Sequence, residues 1–157
     1  MAFLLWLQET GIARYVQESE WGYPLVLSSH ALGMAMLAGV VMMICLRVLG
    51  FGRGMPLHYL RNLVGIAWVG LAFNLVSGLM LFAADAVTHF GNIAFRIKII
   101  LLLVGGTLVW LLARRIFATD TLDDAQLVAP STRAIAGLTL LVWTGVIVAG
   151  RLIAYAT

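Results

Sequence analysis

One histidine stands inside a long apolar stretch and is the first residue to consider for chemistry. Residues 21–30 are WGYPLVLSSH, so His30 follows two serines and is itself followed by mostly apolar residues. An imidazole in such surroundings can ligate haem iron or copper, relay protons, or hydrogen-bond to a neighbouring helix. Met34 stands one helical turn further on, so His30 and Met34 together form a candidate site for a soft metal such as copper(I).

Polar residues also interrupt three further apolar stretches. Asn74 and Ser77 are three residues apart and share one face of a helix. Lys98 and Arg151 lie in the two stretches that follow. Because polar groups are costly in apolar surroundings, we expect these residues to converge with His30. The two cations either extend to the membrane interface or bind an anionic ligand, such as haem propionates or a quinone headgroup.

The chain has two more histidines, both between apolar stretches. His89 follows the second stretch and is predicted on the same side of the membrane as His30, so this pair could share one metal ion or one haem. His58 precedes the second stretch and is predicted on the opposite side. The sequence contains no phosphate-binding loop, no nucleophile elbow and no His-Glu-x-x-His motif.

The composition sets the class of protein. The chain has 157 residues, of which 62% are hydrophobic and 11% are charged, and its mean hydropathy is +1.02. Soluble domains have about 25% charged residues, and disordered chains are polar, so both classes are excluded. The lone Cys45 also excludes zinc fingers and iron–sulfur clusters, which need several thiolates. The chain is therefore expected to be a small integral membrane protein.

Four stretches are each long enough to cross a hydrocarbon core of ~30 Å, which takes ~20 helical residues. They cover approximately 23–48, 60–84, 94–117 and 134–156. Backbone groups must pair internally in lipid, so we predict α-helices, and short connections favour antiparallel neighbours. The predicted fold is all-α: one transmembrane domain over 1–157, an antiparallel four-helix bundle. Residues 118–132 are predicted to be a solvated loop.

The first twenty residues are predicted to lie on the membrane rather than across it. The apolar run at 3–7 is too short to span, and polar residues follow it. This pattern is typical of a short interfacial helix, with Trp6, Tyr15 and Trp21 at headgroup depth. No basic segment precedes the run, so we expect no cleaved signal peptide.

The positions of the basic residues predict the orientation. Two connections between spans carry most of the arginines: Arg47, Arg53, Arg61, Arg114, Arg115 and Arg133. The positive-inside rule puts these connections in the cytoplasm and both termini outside, on the periplasmic side of a bacterial inner membrane. The net charge of +3 is then a matter of topology and lipid contact, and no nucleic-acid partner is expected.

Several motifs carry a family resemblance: FLLWL at 3–7, WGYP at 21–24, HALG at 30–33, LRVLG at 46–50, FNLVSGLMLFAAD at 73–85 and FRIK at 95–98. With these motifs the chain resembles a bacterial family of four-helix membrane proteins, a domain of unknown function. More loosely, it is similar to copper-resistance D-type and cytochrome b561-type membrane proteins. The cytochrome resemblance implies b-type haem held by paired histidines. Here His89 would have to bend in beside His30, or the haem would be five-coordinate or take a methionine.

Three functional hypotheses follow. In the first, the chain is a membrane redox protein that binds one haem b, or copper, through His30, with Asn74, Lys98 and Arg151 around the cofactor. Electrons would pass between quinone and a periplasmic partner. In the second, it is a cofactor-free accessory or anchoring subunit of a larger membrane complex, and His30 and Asn74 link helices. In the third, the methionines and His30 form a path for a metal ion or small molecule.

Overall fold

The computed structural model describes residues 1–52, 54, 57–117, 129–153 and 155, and within them it consists of helices and short connections. The elements are α1 (Ala2–Gln8), α2 (Gly11–Glu18), α3 (Gly22–Leu49), α4 (Leu57–Ala84), α5 (Ala86–Gly91), α6 (Ile93–Phe117) and α7 (Pro130–Leu152). By length and composition, four of them, α3, α4, α6 and α7, can cross a membrane. The predicted all-α four-helix bundle is confirmed.

The helix ends differ in detail from the predicted spans. α3 ends at Leu49, and Gly50, which follows it, adopts the left-handed conformation with φ of 106°, which favours glycine at a helix C-terminus. α7 begins earlier than predicted because Pro130 occupies its first turn, where a missing N–H costs nothing. It ends at Leu152. Residues 118–128, most of the predicted loop, lie outside the described residues, as do residues 154, 156 and 157.

The N-terminal segment forms two short helices instead of one. Thr10 separates them: its hydroxyl donates to the Leu7 carbonyl at 2.7 Å and accepts from the Ala13 N–H at 3.4 Å, which caps α2. The side chains of Trp6 and Tyr15 are exposed. A second departure is α5, which forms over residues that the sequence predicts as a loop.

The four long helices form two pairs. α3 packs along α4 and α6 packs along α7, and the two pairs contact each other where α3 packs on α7. The buried core fills the end of the bundle where α3 ends and α4 begins, and includes Cys45, Val48, Leu60 and Leu112. Among the described residues, α4 and α6 share no extensive packing. The bundle is therefore open between these two helices.

Two glycines set the distance between α3 and α4. A Cβ atom on Gly33 would lie 2.8 Å from both the Asn74 nitrogen and the Gly70 oxygen. A Cβ atom on Gly70 would lie 2.8 Å from the Leu37 nitrogen and 2.9 Å from the Gly33 oxygen. Backbone therefore meets backbone at this crossing. Such close approach of small residues favours helix association in lipid, where hydrophobic burial adds little.

We predict that Gly33→Ala lowers the free energy of unfolding by about 1–3 kcal/mol, because the added methyl overpacks a contact between backbones. Gly39→Ala is the matched control in the same helix, since a Cβ atom there meets no heavy atom within 4 Å. Denaturation with dodecyl sulfate in mixed micelles, followed by circular dichroism, measures both. Equal stability of the two variants would contradict the close crossing.

Candidate functional site between α4 and α6

The open side of the bundle is a cavity of about 1320 Å³. Its walls come from all four long helices and from α5. We call the end at which α3 and α6 begin, and α4 and α7 end, the outer end. The polar residues that line the cavity belong to the outer half of the bundle: His30, Asn74, Asp85, Thr88, His89, Asn92, Lys98 and Arg151. The predicted convergence of His30 with Asn74, Lys98 and Arg151 is therefore found around one cavity.

The hydrogen bonds of Ser77 define the state of the His30 ring. The Ser77 hydroxyl is close to the Phe73 carbonyl and donates its hydrogen there. The same hydroxyl oxygen lies 3.0 Å from His30 Nδ1. Because its hydrogen is already donated to Phe73, the oxygen accepts from that nitrogen. The neutral ring then carries its proton on Nδ1. Nε2 is left with a free lone pair and has no partner among the residues that the structure describes.

Asn74 adds a second link between α3 and α4. Its side-chain nitrogen donates one hydrogen to the His30 carbonyl at 3.0 Å. The amide lines the cavity, so its second hydrogen and its oxygen remain available there. Gly78, one residue past Ser77, leaves room for the ring: a Cβ atom on it would lie 3.1 Å from His30 Cε1. Packing and hydrogen bonding together hold the imidazole in one orientation.

His89 lines the same cavity from α5. Its Nδ1 lies 2.8 Å from the Asp85 carbonyl oxygen, which can only accept, so Nδ1 carries hydrogen. The Asp85 carboxylate is 3.8 Å from the same nitrogen, and Phe95 meets the ring edge-on at 5.8 Å between centroids. As in His30, Nε2 of the neutral ring is unprotonated. The cavity therefore has two imidazoles in which Nε2 is the nitrogen that can ligate a metal.

The two cations occupy the outer end of the cavity. Lys98 is half-buried and lies along α7, where a Cβ atom on Gly150 would come within 3.5 Å of its Nζ. Within the described parts of the chain, no carboxylate comes within 4.0 Å of that nitrogen. The Arg151 guanidinium lies 5.9 Å from the Tyr155 ring centroid. Both cations line the cavity and can meet an anionic group.

Asp85 links the end of α4 to the N-terminal segment. Its carboxylate accepts from the Gln8 amide at 3.4 Å, which ties α1 to the end of α4. The Gln17 side chain makes a similar tie to the Ala84 carbonyl. The N-terminal helices are thus anchored beside the outer end of the cavity.

Met34, the second residue of the predicted soft-metal pair, is half-buried and does not line the cavity, whereas His30 does. Among the described residues, no three side chains of His, Cys, Asp or Glu gather as a metal-binding group. A haem needs only one or two protein ligands, so it does not require such a group.

Asn92 and Thr88 also line the cavity, and neither of them was predicted from the sequence as a site residue. A sequence pattern could have pointed to Asn92. Asn92 accepts from the N–H groups of Ala94 and Phe95, at 2.8 and 3.3 Å, and so caps α6. An asparagine just before an apolar helix is a recognised start signal. Thr88 lines the cavity from α5, and no pattern predicted it because the residues around it were expected to form a loop.

No family model, no curated protein and no solved structure matches this chain. The class of protein therefore follows from the fold: a multi-pass α-helical membrane protein, by the length and composition of its helices. Its distinguishing feature is a cavity large enough for a ligand, with an ordered imidazole in its wall. The arrangement can hold a flat or elongated apolar molecule that carries acidic or carbonyl groups at one end.

We predict that Ser77→Ala lowers the free energy of unfolding by about 1–3 kcal/mol, because a partly buried Nδ1–H loses its acceptor. Thr144→Ala is the control, since that hydroxyl also bonds the carbonyl four residues back, at 2.9 Å, but is exposed. Nitrogen-15 spectra of histidine-labelled protein should show His30 protonated at Nδ1. Equal losses in both variants, or protonation at Nε2, would contradict the assignment.

Proposed function

We propose that this chain is a small membrane redox protein that binds one haem b in the outer half of its cavity. His30 would hold the haem iron, and the bound haem would carry electrons between the quinone pool and a periplasmic partner. One observation carries the proposal. The Nδ1–H of His30 is bound to Ser77, so the Nε2 lone pair is free in a residue that lines a large cavity. Haem-ligating histidines have this arrangement, with one nitrogen oriented and the other on the metal.

The cavity fits the other parts of a haem. Ligand pockets commonly have volumes of about 300–1,000 Å³, and this one, at about 1320 Å³, exceeds that range. Its mostly apolar walls suit a macrocycle. Lys98 and Arg151 at the outer end suit the propionates, because charge-assisted hydrogen bonds to carboxylates are strong. Asn74 stands beside His30 and fixes the backbone of the ligand's helix.

His89 is the second residue that would hold the haem. It lines the same cavity, and its Nδ1 donates to a backbone carbonyl, as expected of an oriented metal ligand. The bound haem would supply one-electron chemistry between the quinone pool and the periplasmic partner. Copper held by His30 and Met34 is less well supported, because Met34 does not line the cavity.

The proposed location is the bacterial inner membrane, with both termini in the periplasm. The arginine-bearing connections support this orientation. We predict that alkaline phosphatase fused to the C-terminus is active, because the enzyme needs the oxidising periplasm. The same enzyme inserted into the 118–128 segment should be inactive, and green fluorescent protein fusions should give the opposite pattern. Activity only at the 118–128 insertion would reverse the orientation.

The second candidate is a cofactor-free accessory or anchoring subunit of a larger membrane complex. The observation that favours it is that His30 and Asn74 join α3 to α4 by hydrogen bonds, which is a structural role in itself. Such bonds are worth about 0.6–2 kcal/mol in membranes. In this case the effect of replacing His30 would be confined to stability and assembly.

The deciding experiment is an optical spectrum of the detergent-purified protein, oxidised and then reduced with dithionite. We predict a Soret band and sharp reduced α and β bands, which His30→Ala abolishes while the protein stays folded. His58→Ala, at the far end of α4, is the matched control and should keep the spectrum. Lys98→Gln should lower haem retention, since a cation proposed for a propionate is lost.

A featureless spectrum from wild-type protein, purified with haem supplied during expression, would reject the redox proposal and favour the subunit. A spectrum unchanged in His30→Ala would reject His30 as the ligand. A change from a low-spin to a high-spin spectrum in His89→Ala, with haem still bound, would identify His89 as the second residue that holds the haem.

A further inference from the structure

We propose that the inner half of the cavity is the binding site for an isoprenoid quinone, which enters sideways from the bilayer between α4 and α6. The quinone is the electron carrier of the proposed function, and on that point this inference rests on it. The tail site is defined by apolar residues of the inner half, whereas its headgroup contact, Asn74, lies at mid-depth and also donates to the His30 carbonyl at 3.0 Å.

The cavity opens toward lipid. Several residues that line it are also more than half exposed on the outside of the protein: Trp68 at 66%, Leu75 at 60%, Leu103 at 69% and Trp110 at 56%. They belong to the middle parts of α4 and α6, away from the helix ends. In the described residues α4 and α6 share no extensive packing, although the Phe82 and Phe95 rings stack near the outer end. A hydrocarbon tail can therefore pass between the middle parts of the two helices without separating packed helices.

The inner half is lined by hydrocarbon and aromatic groups. Its walls include Ile44, Val64, Ala67, Val109 and Phe117. At mid-depth in the cavity wall, the Trp143 indole nitrogen is buried without a hydrogen-bond partner among the described residues, and a Cβ atom on Gly105 would lie 3.1 Å from it. Water gains few hydrogen bonds in such a space, so an apolar chain is the favoured occupant.

The depth of Asn74 in the bundle favours a quinone over a phospholipid as the occupant. Ten residues lie from Asn74 to the end of α4 at Ala84, and at ~1.5 Å per residue the amide is ~15 Å below the outer end. This is about half of the ~30 Å hydrocarbon core. A charged phospholipid headgroup stays at the surface. A neutral quinone ring can reach this depth, where its carbonyl accepts from the free hydrogen of the Asn74 amide.

The volume leaves room for this second molecule. The cavity, at about 1320 Å³, runs from Arg151 at the outer end to Phe117 at the other end of α6. A macrocycle whose propionates met Lys98 and Arg151 would lie toward the outer end. The space lined by Val64, Val109 and Phe117 would remain for the quinone tail.

A single glycine allows the inner half to be filled without disturbing the helices. Gly106 lines the cavity, and a Cβ atom on it meets no heavy atom within 4 Å. Gly106→Phe should therefore place a ring in the proposed tail site. Gly39→Phe is the matched control: a Cβ atom there also meets nothing within 4 Å, and Gly39 does not line the cavity. Asn74→Leu removes the headgroup contact and also the hydrogen bond to the His30 carbonyl, so its helicity is compared with that of the wild type by circular dichroism.

The experiment is photolabelling with a short-chain azidoquinone in membranes that contain the full chain, followed by peptide mapping. We expect saturable labelling of α4 and α6 that excess decylquinone prevents. Gly106→Phe should reduce it about tenfold or more, since a clash of about 1.4 kcal/mol has that effect. Asn74→Leu should reduce it about fivefold, for one hydrogen bond of about 1 kcal/mol. Gly39→Phe should label as wild type.

Labelling that does not saturate, or that is equal in Gly106→Phe and Gly39→Phe, would overturn the proposal. Prevention by excess phospholipid with decyl chains, as effective as that by decylquinone, would assign the site to lipid tails and also overturn it. The readout does not use the haem spectrum. Saturable labelling without a Soret band would reject only the redox function, and a Soret band without saturable labelling would reject only the quinone site.

Discussion

The close crossing of α3 and α4 at Gly33 and Gly70 is the constraint on which the rest of the structure depends. At this point the helices meet backbone to backbone. In lipid, helices associate through such van der Waals contact and through hydrogen bonds between them. The crossing brings His30 within reach of Asn74 and Ser77, which lie one and two turns along α4 from Gly70. It also commits α4 to α3, so that α4 meets α6 at few points, among them the stacked rings of Phe82 and Phe95.

The polar groups at this crossing hydrogen-bond to one another because a membrane offers them few other partners. A polar atom that water cannot reach must be paired within the protein. The Ser77 hydroxyl satisfies the Phe73 carbonyl and accepts from His30, and Asn74 satisfies the His30 carbonyl. The consequence is chemical as well as structural. Because His30 Nδ1 is hydrogen-bonded to Ser77, Nε2 is the ring nitrogen that can bind a ligand.

The opening between α4 and α6 gives the cavity two different ends. Near the outer end it carries imidazoles, amides and cations, and further in it carries aromatic and aliphatic side chains. This gradient matches amphiphilic molecules such as a haem with propionates or a quinone with a tail, and a small hydrophilic solute would meet mostly apolar walls. The N-terminal helices, tied by Gln8 to Asp85, stand beside the polar end.

The sequence by itself determined the class of protein, the four long helices and the identity of the polar residues, because bilayer thickness sets helix length and each polar residue stands out against an apolar run. It also predicted that His30, Asn74, Lys98 and Arg151 would lie together. Only the tertiary structure decided that they line a cavity, and that α5 presents His89 to it while Met34 lies outside. The spacing of residues along one helix shows which of them share a face of that helix. The gap between α4 and α6 depends instead on which helices pair, and that pairing is set by contacts between residues far apart in the chain.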